Sequence, residues 1–195
     1  MVLFFAKGEA DSDKFVKFCY GHYRDIMSRY GADLPKDVQI VREEGQKPRF
    51  DTDEAYFNLS HSHGAIMLGI SHSQIGVDIE KIRDIDYEKF DFIHADNVED
   101  FFEKWTERES YLKFTGEGLS AFRCEIPAEA HFEHFPVWEE YHACVCAEEQ
   151  NIIAYDGIRD RRQRNRKLIF AKSLHIFLKN AYAFDNRKLP LFKCE

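Results

Sequence analysis

Asp78 and Glu80 stand two residues apart at the end of the run Ile75-Gly76-Val77-Asp78-Ile79-Glu80. On a strand, such a pair projects from one face. Two carboxylates held together repel unless something positive sits between them, and a hard divalent cation is the usual solution. Oxygen-only ligands favour Mg²⁺ or Mn²⁺ over zinc. A solvated surface pair is the ordinary fate of D-x-E, but the apolar run leading in places this one at the end of a buried strand.

A second carboxylate meets a cation in Trp105-Thr106-Glu107-Arg108-Glu109-Ser110-Tyr111-Leu112-Lys113. On a helix, Glu109 and Lys113 lie one above the other. As an exposed ion pair they would contribute roughly 0.3–0.5 kcal/mol. The other reading is a carboxylate completing a metal site, with an ammonium beside it to receive a phosphate.

The third group is Phe57-Asn58-Leu59-Ser60-His61-Ser62-His63-Gly64. Adjacent Ser and His make no hydrolase triad, because the base must reach the nucleophile from another element. His61 and His63 lack the companions of a zinc finger or HExxH site. A Ser-His-Ser turn can offer hydroxyl, imidazole and backbone donors to an anion, and Lys47, in the preceding turn, can add charge.

The elements that must position these residues follow from pattern. Residues 2–6 read as a buried strand. Ser12 is expected to cap a helix from Asp13 to about Tyr30, with Phe15, Phe18, Cys19, Tyr23, Ile26 and Met27 on its apolar stripe and Gly31 and Pro35 closing it. Strands are expected at Val38–Val41, Tyr56–Leu59, Ala65–Ser71 and Ile75–Ile79, with Ser60–Gly64 joining the second to the third. A polar linker from Arg83 to Lys89 leads to a helix from about Val98 to Phe114, on which Phe101, Trp105 and Leu112 form the apolar stripe. Gly116 and Gly118 break it. Tyr141–Ala147 is the clearest later strand. This order implies an α+β fold with mostly antiparallel sheets.

The chain has 195 residues, 44% of them hydrophobic, with 18 Phe and 9 Tyr, which is enough for a core and excludes wholesale disorder. No run of about 18 apolar residues exists, so no membrane span is expected. The N-terminus lacks the pattern of a signal peptide, which makes the cytoplasm the expected location. Five cysteines, Cys19, Cys124, Cys144, Cys146 and Cys194, form no CxxC pair and read as free thiols. Charge is uneven: residues 1–150 hold 16 Lys+Arg and 31 Asp+Glu, and residues 151–195 hold 11 and 4. An acidic body and a basic end imply two surfaces with different partners.

Lys47-Pro48, then Phe57-Asn58-Leu59-Ser60-His61-Ser62, then Ile75-Gly76-Val77-Asp78-Ile79-Glu80, then Trp105-x-x-Arg108-Glu109-Ser110-x-x-Lys113 resembles the surfactin-type (Sfp-like) 4′-phosphopantetheinyl transferases, in order and at comparable separations. The resemblance is clear from Val38 to Gly118 and extends more faintly to Ala147. It implies transfer of the phosphopantetheine arm of coenzyme A to a serine of an acyl or peptidyl carrier protein, releasing adenosine 3′,5′-bisphosphate. It also implies a fold of two similar small α+β halves packed as a pseudo-dimer: residues 1–74 gripping CoA, and residues 75–150 carrying Mg²⁺ and the catalytic groups. By matching position, Asp78, Glu80 and Glu109 would hold Mg²⁺, with Mn²⁺ as the alternative. Glu109 would draw the proton from the carrier serine, directly or through water, and Lys113 would neutralise the pyrophosphate. Lys47, Ser60, His61 and Lys113 would contact CoA, His61 near the 3′-phosphate. A monomer without nucleic-acid partners is expected.

Arg108 stands where the family usually has lysine, and the family's basic residues for the adenine end of CoA have no clear match, although Lys14, Lys17 and Arg24 lie on the first helix. Residues 151–195 have no recognised counterpart. There Leu168–Ala181 reads as an amphipathic helix, either docked on the body, offered to an acidic partner, or, as a basic amphipathic stretch, suited to nucleic acid or anionic lipid. The alternative function is a degenerate protein that binds CoA or a carrier without turnover; an unrelated Mg²⁺-dependent phosphohydrolase is the third reading.

Overall fold

The protein is described here from a computed structural model, which covers residues 1–8, 10–118, 121–135, 137–148 and 153–155. Its elements run β1 (Val2–Lys7), α1 (Ser12–Ser28), β2 (Ile40–Val41), β3 (Arg49–Phe50), β4 (Tyr56–Ser62), β5 (Ala65–Ser71), β6 (Ile75–Lys81), α2 (Val98–Thr115), β7 (Phe132–Phe135), β8 (Tyr141–Ala147) and β9 (Ile153–Tyr155), with a 3₁₀ turn at Tyr87–Lys89. A four-stranded sheet has the order β4-β5-β1-β9 and a three-stranded sheet the order β6-β8-β7. All pairings are antiparallel except β1 with β9. The mixed α and β composition and the antiparallel sheets agree with the sequence reading.

Alternation along each strand builds two cores. Val2, Phe4, Ile66, Leu68 and Ile70 face α1, where Phe15, Cys19 and Tyr23 are buried. Leu3, Phe5, Ala65 and Met67 face the opposite way, onto Ile75, Val77, Ile79, Ala143 and Val145 of the smaller sheet. Each Val, Leu, Ile, Phe or Met side chain among these contributes about 1.5–3 kcal/mol on burial. The residues between, Gly76, Asp78 and Glu80, therefore point toward α2. A third, aromatic cluster around Phe101, Phe102, Trp105 and Phe122 covers the far side of α2.

Several local expectations are corrected. Asp11, not Ser12, caps α1, its carboxylate accepting from Lys14 N at 3.0 Å. Phe18 is 51% exposed, while Val16 and Tyr20 are buried. The Val38–Val41 strand shrinks to Ile40–Val41, paired with the unforeseen β3. Ser60, His61 and Ser62 are not a turn: β4 runs through them, and only His63 and Gly64, with φ of 47° and 76°, make the two-residue hairpin. β9 adds a short strand inside the region read as tail. The expected helix Leu168–Ala181 lies outside the described residues. Among the described residues no helix is long and apolar enough to cross a membrane.

Candidate active site

The site is made where β6 and α2 touch, and Gly76 permits the contact. A Cβ there would stand 1.9 Å from the Ser110 carbonyl oxygen and 2.3 Å from Phe114 N. With only hydrogen at that position, α2 lies close on the strand and brings Glu109 and Lys113 over Asp78. The helix itself is fixed at both ends. Asn97 accepts from Asp100 N at 2.9 Å, and Gly116, with φ of 81°, closes the C-terminus. Lys47 Nζ donates to the Lys113 and Phe114 carbonyls at 3.1 and 3.3 Å, supplying partners to that helix end.

Asp78 is 1% exposed. Its Oδ1 accepts from Lys113 Nζ at 2.5 Å and from Ser60 Oγ at 2.7 Å, and Lys113 Nζ lies 3.0 Å from Ser60 Oγ. Lys113 Nζ also pairs with Glu109 Oε2 at 3.2 Å. Burial, then the charge of Asp78, raises the Glu109 carboxyl above its usual range, against the pull of Lys113. Burial works to lower the Lys113 ammonium, but Asp78 and Glu109 together outweigh it and hold its pKa up. Glu80 lies beside this group, its Oε2 accepting from Ser62 Oγ at 2.8 Å and Arg83 Nη1 at 3.0 Å.

Among the described residues no group of three or more His, Cys, Asp or Glu side chains is gathered as a metal site; the Lys113 ammonium stands between Asp78 and Glu109. The donor chemistry nevertheless fits a hard cation. Among the described residues Asp78 Oδ2 is buried with no hydrogen-bond partner, and Asp78, Glu80 and Glu109 offer oxygen alone.

The structure thus brings Ser60, Asp78, Glu109 and Lys113 into direct contact, with Glu80 adjacent and Lys47 at the end of the same helix. It does not bring His61 to them. In a strand, His61 points opposite to Ser60 and Ser62, and its Nε2 lies 3.4 Å from Ser12 Oγ in the first turn of α1. A cleft of about 190 Å³ opens on the Lys47 side, lined also by Pro48, Arg49, Tyr56, Phe57 and Gln74; the Asp78–Lys113 pair does not line it. Arg108 faces away from the site, its Nη1 donating to the Phe122 and Cys124 carbonyls at 2.9 and 2.7 Å. Cys144 lies beneath the helix, 3.5 Å from Ser110 Oγ, and burial raises its thiol pKa, as it raises that of Cys146 to about 12.

The sequence reading gives Gly76 no role of its own and gives Ser62 a place only in an anion-binding Ser-His-Ser turn, not a contact to Glu80. The signal for Gly76 was a glycine amid an otherwise apolar strand, which marks a close backbone approach. For Ser62 it was the polar alternation Asn58, Ser60, Ser62.

No family model matches the chain. It is similar to the 4′-phosphopantetheinyl transferase gsp of Aneurinibacillus migulanus, 36% identical over 97 residues, covering 43% of this chain and 40% of that protein. It is 32% identical over 111 residues to the 4′-phosphopantetheinyl transferase Sfp of Bacillus subtilis, covering half of each. A further 4′-phosphopantetheinyl transferase of Bacillus subtilis is 30% identical over 149 residues, or 60% of this chain and 66% of that protein. The chain spans about half the length of the curated relatives it matches.

Proposed function

We propose that this chain, a homologue of the Sfp-type 4′-phosphopantetheinyl transferases, moves the phosphopantetheine arm of coenzyme A to a serine of an acyl or peptidyl carrier protein. The observation that carries the reading is the buried Asp78–Lys113–Glu109 group built by β6 and α2.

Transfer of this kind depends on positioning and charge neutralisation more than on covalent help from the protein. Asp78, Glu80 and Glu109 would hold Mg²⁺, or Mn²⁺, which when bound offsets the charge of the pyrophosphate. Glu109 is the base: beside Lys113 and Asp78, its carboxylate would accept the carrier serine proton directly or through water. The serine oxygen bonds to the phosphorus that bears the pantetheine arm. The bond from that phosphorus to the bridging oxygen breaks, and adenosine 3′,5′-bisphosphate leaves. Lys113, kept protonated by its two carboxylates, offers a charge-assisted hydrogen bond to the phosphate. Ser60 orients both Asp78 and Lys113. Lys47, Ser60, His61 and Lys113 are the CoA contacts, and His61 beside the first turn of α1 suits the 3′-phosphate, since a helix N-terminus favours anions.

The same reading makes residues 1–74 and 75–150 two similar halves packed as a pseudo-dimer, followed by the basic segment 151–195, of which Ile153–Tyr155 joins the first sheet. Its support is that each of the two larger sheets carries one long helix. The test is incubation with CoA, Mg²⁺ and a panel of apo carrier proteins, read by intact mass. A gain of the phosphopantetheine mass is expected; no gain on several carriers overturns the reading.

A further inference from the structure

β6 lies at the edge of its sheet, in the order β6-β8-β7. Among the described residues, one side of it therefore has no strand to accept its backbone hydrogen bonds, and a buried edge must find partners elsewhere. They come from side chains of β4. Asn58 Oδ1 accepts from Val77 N at 2.8 Å, and Ser62 Oγ accepts from Lys81 N at 3.2 Å. Between these two, Ser60 Oγ donates to Asp78 Oδ1. Three residues spaced by two on β4 thus meet Val77, Asp78 and Glu80–Lys81 in the same chain direction. All three are buried, at 8%, 5% and 6% exposure. The ladder replaces a missing strand and delivers hydroxyls to two carboxylates in one register.

We propose that Ser62 is a positioning residue of the site, acting through Glu80, while Asn58 serves only to hold the strand edge. The inference rests on the reading of Glu80 as a metal ligand. The Ser62 hydroxyl is anchored by the Lys81 amide as it donates to Glu80 Oε2, and it also lies 3.0 Å from His63 Nδ1. Arg83 Nη1 reaches the same Oε2. Two donors on one oxygen, one of them tied to the main chain, stop the carboxylate from rotating freely. A ligand held in place in this way loses less freedom on binding a cation, and removing such a support typically costs about 10–100-fold in metal affinity.

The test uses the full chain with CoA and measures Mn²⁺ binding by electron paramagnetic resonance, alongside Mg²⁺ activation of transfer. Ser62→Ala should raise the Mn²⁺ dissociation constant about tenfold or more, while turnover at saturating Mg²⁺ falls far less. Ser62→Thr, which keeps the hydroxyl, should restore affinity. Asn58→Ala should lower the melting temperature and leave Mn²⁺ affinity within about a factor of two, because its amide meets the Val77 N–H and no carboxylate. If Ser62→Ala does not fold, Ser62→Cys, with its weak donor, should show the same shift in affinity. Parental Mn²⁺ affinity in the Ser62 variants overturns the proposal, as does a loss in Asn58→Ala equal to that in Ser62→Ala. A parent chain that neither binds Mn²⁺ nor modifies any carrier overturns the functional reading and this inference with it. A parent that does both, beside an unaffected Ser62→Ala, overturns the role of Ser62 alone.

Discussion

The ammonium of Lys113 on α2 lies 2.5 Å from the carboxylate of Asp78 on β6, and that carboxylate is 1% exposed. A buried charge stripped of its partner is costly, typically about 3–5 kcal/mol. The Lys113 side chain keeps 27% exposure, so solvent screens part of the pair, and Lys113→Met should lose about 2–3 kcal/mol. Asp78→Asn should partly offset that loss when the two are combined. Urea unfolding of the two single variants and the double variant measures this; additive losses would show that the pair is not coupled.

Activity should separate the same two residues. Asp78→Ala removes a ligand and should abolish transfer in the intact-mass assay. Lys113→Ala should lower turnover on the order of a hundredfold, the scale for losing a charge-stabilising group. It should weaken CoA binding much less, as measured by calorimetry. Full activity in Asp78→Ala would refute the site assignment.

Much of this geometry was legible in the sequence because it follows from periodicity. D-x-E on a strand puts Asp78 and Glu80 on one face, and E-x-x-x-K on a helix stacks Glu109 and Lys113. What joins the strand to the helix is tertiary. Ser60-His61-Ser62 has turn-like composition, but pairing with β5 from Ser60↔Met67 to Ser62↔Ala65 extends β4 through it. That change of state sends His61 to one face and both serines to the other. The short β3 and β9 have no periodicity of their own and exist only through their partners. Phe18 fits the helical stripe in pattern, yet it is half exposed, and its ring meets His22 edge-on with centroids 4.6 Å apart.

Gly76 and Gly21 should respond oppositely to alanine. At Gly76 the new Cβ meets main-chain atoms of α2, which cannot rotate aside, so the loss should reach or exceed the usual overpacking range of about 1–3 kcal/mol. At Gly21, inside α1, nothing lies within 4 Å, and alanine should gain up to about 1 kcal/mol from helix propensity. Thermal melts of both variants decide it. A Gly76→Ala protein as stable as its parent would contradict the close approach.

Arg108 holds the segment after α2 through two carbonyls. Lysine lacks the planar fork, so Arg108→Lys should lose about 1 kcal/mol through a weakened hydrogen bond. Faster proteolysis in residues 121–124 should accompany the loss. Turnover should stay within about twofold, because the guanidinium touches neither Asp78 nor Lys113. A tenfold loss of turnover at full stability would place Arg108 in the reaction instead.

Stability should depend on pH in two opposed ways through His134 and His142. The His134 ring lies 3.0 Å from Glu107 Oε1, and that hydrogen bond raises its pKa above the ordinary imidazole value of about 6.5 despite partial burial. Its contribution is therefore fully present below 6.5 and is lost as pH rises through the raised value. On the neighbouring strand, burial lowers the His142 pKa, with Glu103 and Glu99 opposing and His134 assisting. For that ring stability is present above 6.5 and lost as pH falls through the lowered value. His134→Gln should thus be less stable than the parent by about 0.5–1 kcal/mol near pH 6, a modest figure because the pair is a third exposed. The difference should shrink as pH rises. His142→Gln should instead flatten the acid side of the profile. Denaturant melts of the three proteins across about pH 5–8 measure both limbs. If the His134→Gln difference grows with rising pH, Glu107 is not what holds the proton on that ring.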